Sequence, residues 1–301
     1  MSNYKIAILG AGNIGKFHVR EFKNSGNDVA AILGSTIEST KKTAEELYRM
    51  FGIKVKQYSD LTYLLENEKL DAVSICTPSE LHSKQVRQCL KYNLHILCEK
   101  PFVFDSLYEN YKIAQNLIKM SKEKRKVLTV NMQWPSVLDI LSIKKGAKIN
   151  NFSMYMEPPG FKKTAIISDA IPHMNSMLIR LVGGGEVTNF RFHKSEKDLR
   201  IKFDYKNNQG ICNVTYYLKP KQERPRTINF SINGEKYQRV ATDYYKQKIT
   251  NGKKKIEIED PLRVSIRSFV DAINGQSQPL ISEAEVLENV RLQDIIMERI
   301  K

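Results

Sequence analysis

Cysteine, tryptophan and long apolar runs are scarce in this sequence of 301 residues. Its four cysteines form no Cys-x-x-Cys pair, which argues against a disulfide framework or a thiolate metal site. No apolar run approaches the roughly 20 residues needed to span a bilayer. The first residues also lack the basic-then-apolar layout of a signal peptide. These absences predict a soluble, cytoplasmic protein without a metal centre, in which Cys76 is a buried, reduced thiol.

Positive charge is abundant, with a formal net charge of +15. The excess is spread along the chain, and local runs such as Lys253–Lys255 are short. A nucleic-acid groove needs basic residues clustered on one face, so we interpret the charge as a solvated lysine-rich surface. The expected partner is therefore a small-molecule substrate, with neither nucleic acid nor membrane. A nucleic-acid-associated protein is a secondary alternative that rests on charge alone.

A glycine-rich turn follows the apolar run that ends at Leu9. Gly10 permits a tight turn, Gly12 lets the backbone approach a pyrophosphate, and Gly15 lets a helix pack on the strand. The free N–H groups at the helix start, with Asn13 and Ile14, would face the phosphates. The pattern predicts a dinucleotide-binding site; the alternative is an ordinary strand-to-helix loop.

Residues 1–132 alternate between apolar strands and amphipathic helices. This order predicts a doubly wound parallel sheet of the Rossmann type, with ligands bound beyond the carboxyl ends of the strands. The predicted strands are Lys5–Leu9, Asp28–Leu33, Ala72–Thr77, His95–Cys98 and Val127–Asn131.

Residues 133–301 have a different pattern, with long alternating strands and hairpin-like connections. They predict an α+β domain with a mostly antiparallel open sheet, closed by helices over Pro261–Asn274 and Ser282–Ile300. Ser282 and Glu285 form a capping box, and Gly275 stands at a helix C-terminus. These last helices are expected to pack back on the first domain. The predicted strands are Ile149–Glu157, Glu186–Lys194, Leu199–Tyr205, Cys212–Leu218, Ile228–Ile232 and Lys236–Ala241.

Three short motifs follow the glycine turn. Thr77-Pro78 ends a strand and precedes His82, Glu99-Lys100-Pro101 ends the next strand, and Asp169 precedes His173 by four residues. With the glycine turn and His18, these motifs resemble the glucose-fructose oxidoreductase/inositol dehydrogenase (Gfo/Idh/MocA) family. The resemblance implies a nicotinamide-dependent oxidoreductase acting on a sugar, cyclitol or related compound. It also implies a homodimer or homotetramer formed through the sheet of the second domain.

Lys100 is the first candidate catalytic residue. A lysine at the carboxyl end of a parallel strand faces the ligand crevice, and burial or a nearby cation lowers a lysine pKa. Beside a nicotinamide it would hydrogen-bond the reacting oxygen, with Glu99 orienting the site. The alternative is a surface lysine paired with Glu99.

His173 is the candidate general base, because histidine titrates near neutral pH and suits removal of a hydroxyl proton. Asp169 lies one helical turn earlier and would bind substrate or orient His173. Because Pro172 suits only a first helical turn, we expect the helix to begin near Asp169, with Asp169 as its N-cap. That cap is also the alternative role of Asp169; for His173 the alternative is a histidine without catalytic duty.

The match to the family pattern around His173 is incomplete, since Ile171 and Ser176 stand where the resemblance implies a glycine and an acid. Gln133 and Trp134 replace the arginines usual after the last Rossmann strand and are candidate substrate residues. Trp134 has domain-hinge packing as its alternative role. These departures leave open a dinucleotide-binding regulator or scaffold without turnover.

The choice between NAD and NADP depends on the end of the second strand, where NAD enzymes usually place an acid. Gly34 occupies that position here, and Ser35 and Thr36 offer hydroxyl donors, so we favour NADP. The full set of predicted cofactor residues is Gly10, Gly12, Asn13, Ile14, Gly15, Gly34, Ser35, Thr36, Thr77, Pro78, His82, Glu99 and Lys100.

Overall fold

The computed structural model describes residues 3–105, 109–141, 143, 148–159, 165–241 and 247–300. The chain divides into two compact units. The first contains Met1–Asn131 and Ser265–Val286, and the second contains Met132–Val264 and Leu287–Lys301.

The first unit is built on a six-stranded parallel sheet in the order β3-β2-β1-β4-β5-β6. This order is that of a dinucleotide-binding Rossmann sheet. Strands β1 and β4 lie at its centre, and their apolar side chains are fully buried because helices cover both faces of such a sheet. The elements are β1 (Lys5–Leu9), α1 (Asn13–Asn24), β2 (Asp28–Leu33), α2 (Ile37–Phe51), β3 (Lys56–Tyr58), α3 (Leu61–Asn67), β4 (Ala72–Ile75), α4 (His82–Lys91), β5 (His95–Glu99), α5 (Asn110–Glu123) and β6 (Leu128–Asn131).

The second unit contains an eight-stranded sheet in the order β14-β13-β12-β11-β7-β10-β9-β8. Strands β7 and β10 are parallel, and every other neighbouring pair is antiparallel. The elements are α6 (Pro135–Ile140), β7 (Asn151–Met156), α7 (Ala165–Val182), β8 (Glu186–Lys194), β9 (Leu199–Asn207), β10 (Gly210–Leu218), β11 (Ile228–Ile232), β12 (Glu235–Ala241), β13 (Gln247–Thr250) and β14 (Lys255–Ile258). The predicted fold class, a doubly wound parallel sheet followed by an α+β domain, is confirmed.

Alternation within the second sheet separates a buried face from an open one. Along β9, Leu199, Ile201, Phe203 and Tyr205 are buried, and the residues between them are exposed or half-buried. The buried face carries the apolar core of this unit, against which α7 packs.

The helix α7 begins four residues before the predicted start near Asp169. Asp169 therefore lies inside the helix rather than at its N-cap, and Pro172 is an interior proline, so both expectations were wrong. Proline removes one main-chain hydrogen bond from a helix. The buried residues Met174 and Met177 show why the helix persists, since packing of an apolar face supplies most helical stability in proteins.

Two further helices, α8 (Pro261–Ile273) and α9 (Glu283–Ile300), close the chain. Gly275 follows α8 with φ +71°, and Ser282 and Glu285 exchange the hydrogen bonds of a capping box, as the sequence predicted. All four cysteines are buried and free. No helix in the described ranges is long and apolar enough to cross a membrane.

Candidate functional site

The turn between β1 and α1 is closed on one side and open on the other. A Cβ on Gly10, whose φ is +113°, would lie 2.4 Å from the carbonyl carbon of Cys76. A Cβ on Gly15 would lie 1.9 Å from the Gly10 oxygen, so neither position accepts a side chain. Gly12 differs, because a Cβ there would meet nothing within 4 Å. The backbone thus packs tightly behind the turn and leaves free space at Gly12, as a cradle for a pyrophosphate requires.

A pocket of about 720–750 Å³ is present in each unit. The pocket of the first unit, of about 750 Å³, opens at the glycine turn and is called the glycine-turn pocket. Among its lining residues are six of the predicted cofactor residues, namely Gly10, Gly12, Gly34, Ser35, Thr77 and Pro78. Several other polar residues line this pocket without a local sequence signal, because their positions depend on the short strand β3 or on which face of a helix they occupy. These are Ser39, Thr43, Ser59, Asp60 and Gln85.

The end of β2 is more crowded than the sequence suggests. A Cβ on Gly34 would lie 2.1 Å from Thr40 Oγ1, and that hydroxyl donates to the Thr36 oxygen at 2.6 Å. Thr36 caps α2, since its Oγ1 accepts a hydrogen bond from the Ser39 amide at 3.1 Å. Ser35 is exposed and lines the pocket, so its hydroxyl is available to a ligand.

An acid also lines this pocket. Asp60 follows β3 and caps α3, with its Oδ1 accepting from the Tyr63 amide at 2.7 Å. Its position could be found from the sequence only by recognising β3, a three-residue strand of polar composition.

Behind the glycine-turn pocket lies a buried polar network on α1, β4, β5 and β6. His18 Nδ1 is 2.8 Å from Ser74 Oγ, and His18 Nε2 is 2.9 Å from Glu99 Oε1. Asn131 donates to the same Glu99 oxygen. Burial lowers the pKa of His18, but Cys76 and the Glu99 carboxylate beside the ring outweigh it and raise the pKa to about 10. Burial raises the pKa of Glu99, whereas the hydrogen bond and charge of His18 lower it to about 2.

The raised pKa of His18 and the lowered pKa of Glu99 favour an imidazolium–carboxylate pair that is largely shielded from solvent. Glu99 consequently orients its surroundings and is held too firmly as a carboxylate to exchange protons near neutral pH. Lys100 follows it directly and is half-buried, with its amide 3.3 Å from Glu99 Oε2.

His82 connects two loops of the first unit. Its Nδ1 lies 2.8 Å from the Pro101 oxygen and its Nε2 lies 2.9 Å from the Thr77 oxygen. The ring is buried and does not line the glycine-turn pocket. It instead positions the loop at Thr77, which lines that pocket. The remaining predicted cofactor residues outside the lining are Asn13, Ile14, Gly15, Thr36, Glu99 and Lys100.

The pocket of the second unit has a volume of about 720 Å³ and is called the His173 pocket. Gln133, Trp134, Asp169 and His173 all line it, so the structure brings together the four second-domain residues that the sequence singled out. His173 and Asp169 lie one turn apart on α7.

The positions at which this chain departs from the family pattern are both buried. Ile171 is fully buried. Ser176 donates from Oγ to the His173 oxygen at 2.7 Å, so it serves the helix backbone.

Four charged residues at the His173 pocket are not predictable from the sequence. Arg224, Arg226, Arg239 and Glu157 line it together with Gln247. Glu157 directly follows β7, Arg239 and Gln247 lie on β12 and β13, and Arg224 and Arg226 lie in the segment before β11. No local sequence pattern links these residues.

The parallel sheet and its glycine cradle define a dinucleotide-binding protein of the Rossmann class. Residues 4–132 match the model of the Gfo/Idh/MocA group, described as an oxidoreductase family with an NAD-binding Rossmann fold. This segment is less than half of the chain, and over it the chain is similar to the Gfo/Idh/MocA oxidoreductase family. The resemblance noted in the sequence is thereby confirmed.

Curated relatives match over part of this chain. Myo-inositol 2-dehydrogenase of Thermotoga maritima is 32% identical over 97 residues, which are 32% of this chain and 28% of the relative. UDP-N-acetylglucosamine 3-dehydrogenase of Acidithiobacillus ferrooxidans is 27% identical over 130 residues, 43% of this chain and 37% of the relative. These matched segments thus span only about a third of each relative's length.

Solved structures resemble the whole chain. That of the Acidithiobacillus ferrooxidans UDP-N-acetylglucosamine 3-dehydrogenase superposes with a TM-score of 0.74 at 18% identity, covering 97% of this chain and 96% of the other. Biliverdin reductase from Synechocystis, in complex with biliverdin and NADP+, gives a TM-score of 0.70 at 16% identity and covers 99% of both chains. At such identities the likeness shows the fold alone.

Proposed function

We propose that this protein is an NAD(P)-dependent oxidoreductase that transfers a hydride between nicotinamide and the hydroxyl- or carbonyl-bearing carbon of a sugar-like or other polar small molecule. The observation that carries the proposal is the His173 pocket, in which a histidine and a carboxylate lie one helical turn apart among polar side chains. The match of residues 4–132 to an NAD-binding oxidoreductase family supports the proposed binding of a nicotinamide dinucleotide. Relatives named as dehydrogenases of inositol and of a nucleotide sugar support the reaction class.

The roles of the residues follow from their chemistry. When bound, a nicotinamide supplies the hydride acceptor for the substrate carbon. His173 takes the hydroxyl proton as that carbon becomes a carbonyl, since an imidazole gains a proton readily near neutral pH. Asp169 orients the imidazole or holds a second substrate hydroxyl. The Lys100 ammonium donates a hydrogen bond to the reacting oxygen and stabilises the negative charge that develops there.

Tyrosines of the second sheet are poor substitutes for His173 as the base. Tyr216 is fully buried on the core face, and burial raises its pKa far above the usual value. Tyr155 and Tyr217 line a different groove, on the open face of the sheet. None of the three lines the His173 pocket as the described residues form it.

NADP is the proposed cofactor. Gly34 leaves the end of β2 without an acid, and Ser35 offers a hydroxyl in the pocket lining. The nearby Asp60 carboxylate is engaged in capping α3. A 2′-phosphate therefore meets a hydroxyl donor at the position where NAD enzymes place a repelling charge.

The experiment compares His173→Ala and Lys100→Ala with wild type on a panel of sugars, cyclitols, sugar acids and nucleotide sugars. Each change should lower kcat by about 10²- to 10⁴-fold, as expected for loss of a positioned proton-transfer group. Dinucleotide affinity should change little in His173→Ala. His193→Ala, on an exposed position of β8, is the matched control and should retain full activity.

Near wild-type kcat in His173→Ala would assign the base to another group. Tight dinucleotide binding by wild type without turnover of any panel member would favour a regulator or scaffold of the same fold. Circular dichroism of each variant separates loss of chemistry from loss of structure.

A further inference from the structure

Among the described residues that line the His173 pocket, arginines outnumber acids. Three guanidinium groups, those of Arg224, Arg226 and Arg239, line it beside two carboxylates, those of Glu157 and Asp169. We call the three arginines the arginine cluster. Arg224 is exposed and Arg226 and Arg239 are half-buried, so water compensates part of this positive charge and a bound anion would compensate the rest.

Arg226 is engaged by the protein itself. Its Nε donates to the Lys221 oxygen at 3.0 Å and its Nη2 to the Gln222 oxygen at 3.0 Å. Its own carbonyl oxygen accepts a hydrogen bond from Arg239 Nη2. Arg226 thus shapes the segment that precedes β11 and helps to hold Arg239 in place.

Arg239 and Arg224 are like charges, close enough for the charge of Arg224 to act on Arg239. Burial lowers the pKa of Arg239, and the charge of Arg224 lowers it further. Among the described residues, neither guanidinium has a carboxylate within ion-pair distance. Arg239 also lies over the Trp134 ring, with its Cζ 5.6 Å from the ring centroid, so the planar group is fixed in orientation.

Glu157 does not neutralise this pair. Its Oε2 accepts from the Thr227 amide at 2.7 Å and its Oε1 from the Tyr155 hydroxyl at 2.8 Å. Lys221 Nζ lies 3.8 Å from the same Oε2 and balances its charge. Burial raises the pKa of Glu157, but the hydrogen bonds from Thr227 and Tyr155 outweigh it and lower the pKa, so the carboxylate is committed to this local structure.

We infer that the substrate of the His173 pocket is an anionic hydroxy compound, whose phosphate or carboxylate group is bound by Arg224 and Arg239. This inference rests on the proposed function and narrows its substrate class. A guanidinium binds either oxyanion through two parallel hydrogen bonds, and two adjacent guanidinium groups match a doubly charged group. A neutral hexose or cyclitol leaves both cations uncompensated and is a poor substrate.

The first experiment measures binding without turnover. Wild-type protein saturated with its preferred nicotinamide dinucleotide, which occupies the glycine turn, is titrated calorimetrically with pyrophosphate, UDP, tartrate and citrate. At least one probe should bind, and Arg224→Gln and Arg239→Gln should each weaken that binding by about tenfold or more. Arg191→Gln, an exposed arginine of β8, is the matched control and should bind like wild type.

The phosphate and carboxylate probes distinguish the two sources of negative charge. Preference for pyrophosphate and UDP assigns a phosphorylated or nucleotide-linked substrate, and preference for tartrate and citrate assigns a sugar acid. Because Arg239 also holds the Arg226 carbonyl, the exposed Arg224 provides the variant least able to disturb folding. Arg239→Lys should recover only part of the affinity, since an ammonium lacks the planar fork.

The second experiment compares matched substrates, such as glucose with glucose 6-phosphate and with glucuronate. The kcat/KM for an anionic member should exceed that of its neutral counterpart by about tenfold or more, and Arg224→Gln should remove the advantage mainly through KM. The inference is overturned if none of the anionic probes binds the dinucleotide-loaded protein, or if they bind Arg224→Gln and Arg239→Gln as tightly as wild type. Failure of the proposed function looks different: anions bind through the arginines, but no compound of either class is turned over.

Discussion

Nε2 of His18 lies 2.9 Å from Oε1 of Glu99, with side-chain exposures of 0% and 9%. The histidine belongs to the helix that begins at the glycine turn, and the glutamate directly precedes Lys100. A single buried ion pair therefore connects the phosphate-binding turn to the strand end that presents the candidate catalytic lysine. Breaking one side of such a pair leaves an uncompensated buried charge.

Glu99→Gln should accordingly destabilise the protein by about 3–5 kcal/mol, because it leaves the His18 imidazolium buried without its carboxylate. Denaturant unfolding followed by circular dichroism measures the change in the free energy of unfolding. Glu196→Gln, on an exposed residue of a surface loop, is the control and should fall within about 0.5 kcal/mol of wild type. Equal stability of Glu99→Gln and wild type would contradict the buried-charge assignment.

The same pair predicts a pH dependence. The pKa of His18 is raised from 6.5 to about 10, so its stabilising charge is fully present below pH 6.5 and is lost as pH rises through 10. The pKa of Glu99 is lowered from 4.5 to about 2, so its contribution is present above pH 4.5 and is lost as pH falls toward 2. The stability difference between wild type and His18→Gln should therefore shrink between pH 6.5 and pH 10. A constant difference across that range would argue for a neutral His18.

Cofactor preference is tested at Ser35, the exposed hydroxyl of the glycine-turn pocket. Ser35→Asp should weaken NADP binding by about tenfold or more through repulsion of the 2′-phosphate, while NAD affinity is retained or improved. Ser35→Asn has the same size without the charge and should lose little. Calorimetric titration of wild type that finds NAD bound more tightly than NADP would refute the proposed preference.

Gly34 is the position that the strand pattern alone would choose for this test, but the structure makes it unsuitable. Any side chain there meets Thr40 Oγ1, and moving that hydroxyl breaks its hydrogen bond to Thr36 at the start of α2. A loss of binding in Gly34→Asp would therefore mix electrostatics with damage to the fold.

The glycine turn offers a cleaner pair of changes. Gly12→Val should leave the melting temperature nearly unchanged, because a Cβ at this position meets no protein atom within 4 Å, yet it should abolish dinucleotide binding by filling the cradle. Gly15→Val should unfold the first unit, because its Cβ overlaps the Gly10 carbonyl. Asn24→Val, at the exposed end of α1, is the control for both thermal melting and titration. Normal dinucleotide affinity in Gly12→Val would place the phosphates elsewhere.

We also propose that the open face of the second sheet forms a homo-oligomer interface. The Tyr155 and Tyr217 rings, 5.1 Å apart, line a groove of about 530 Å³ on that face. Light scattering of the 34.7 kDa chain at micromolar concentration should give a mass two or four times that value. Thr215→Arg, within the groove, should shift the mass toward the monomer, whereas Gln209→Arg on an exposed turn should not. A monomeric wild type would contradict the proposal.

Buried strands were the elements most readily predicted from the sequence. The β1 and β2 strands have the predicted bounds because their apolar runs are buried on both faces, where composition and environment agree. Strand β3 has only three residues, of polar composition, and β13 and β14 have four each, so none carries a periodic signal. Their pairing depends on neighbouring strands that are distant along the chain.

The start of α7 could not be predicted from local sequence preferences, because tertiary packing overrides them there. Pro172 indicated a helix start near Asp169, but α7 begins at Ala165 because its apolar face is buried on both sides of the proline. The consequence for the candidate site is modest, since Asp169 and His173 remain one turn apart.

The sequence by itself determined the chemistry that requires neighbouring residues: the glycine turn, the Glu99-Lys100-Pro101 strand end, and the spacing of Asp169 and His173. Each depends on backbone conformation or on helical periodicity over a few residues, which local composition specifies. Only the tertiary structure decided that Arg224 and Arg239 line the pocket of His173, and that His18 lies within hydrogen-bond distance of Glu99. Those relationships join residues more than 50 positions apart, and they arise from strand pairing and burial. Both change the electrostatic environment of a side chain, but neither can be predicted from the residues next to it in the sequence.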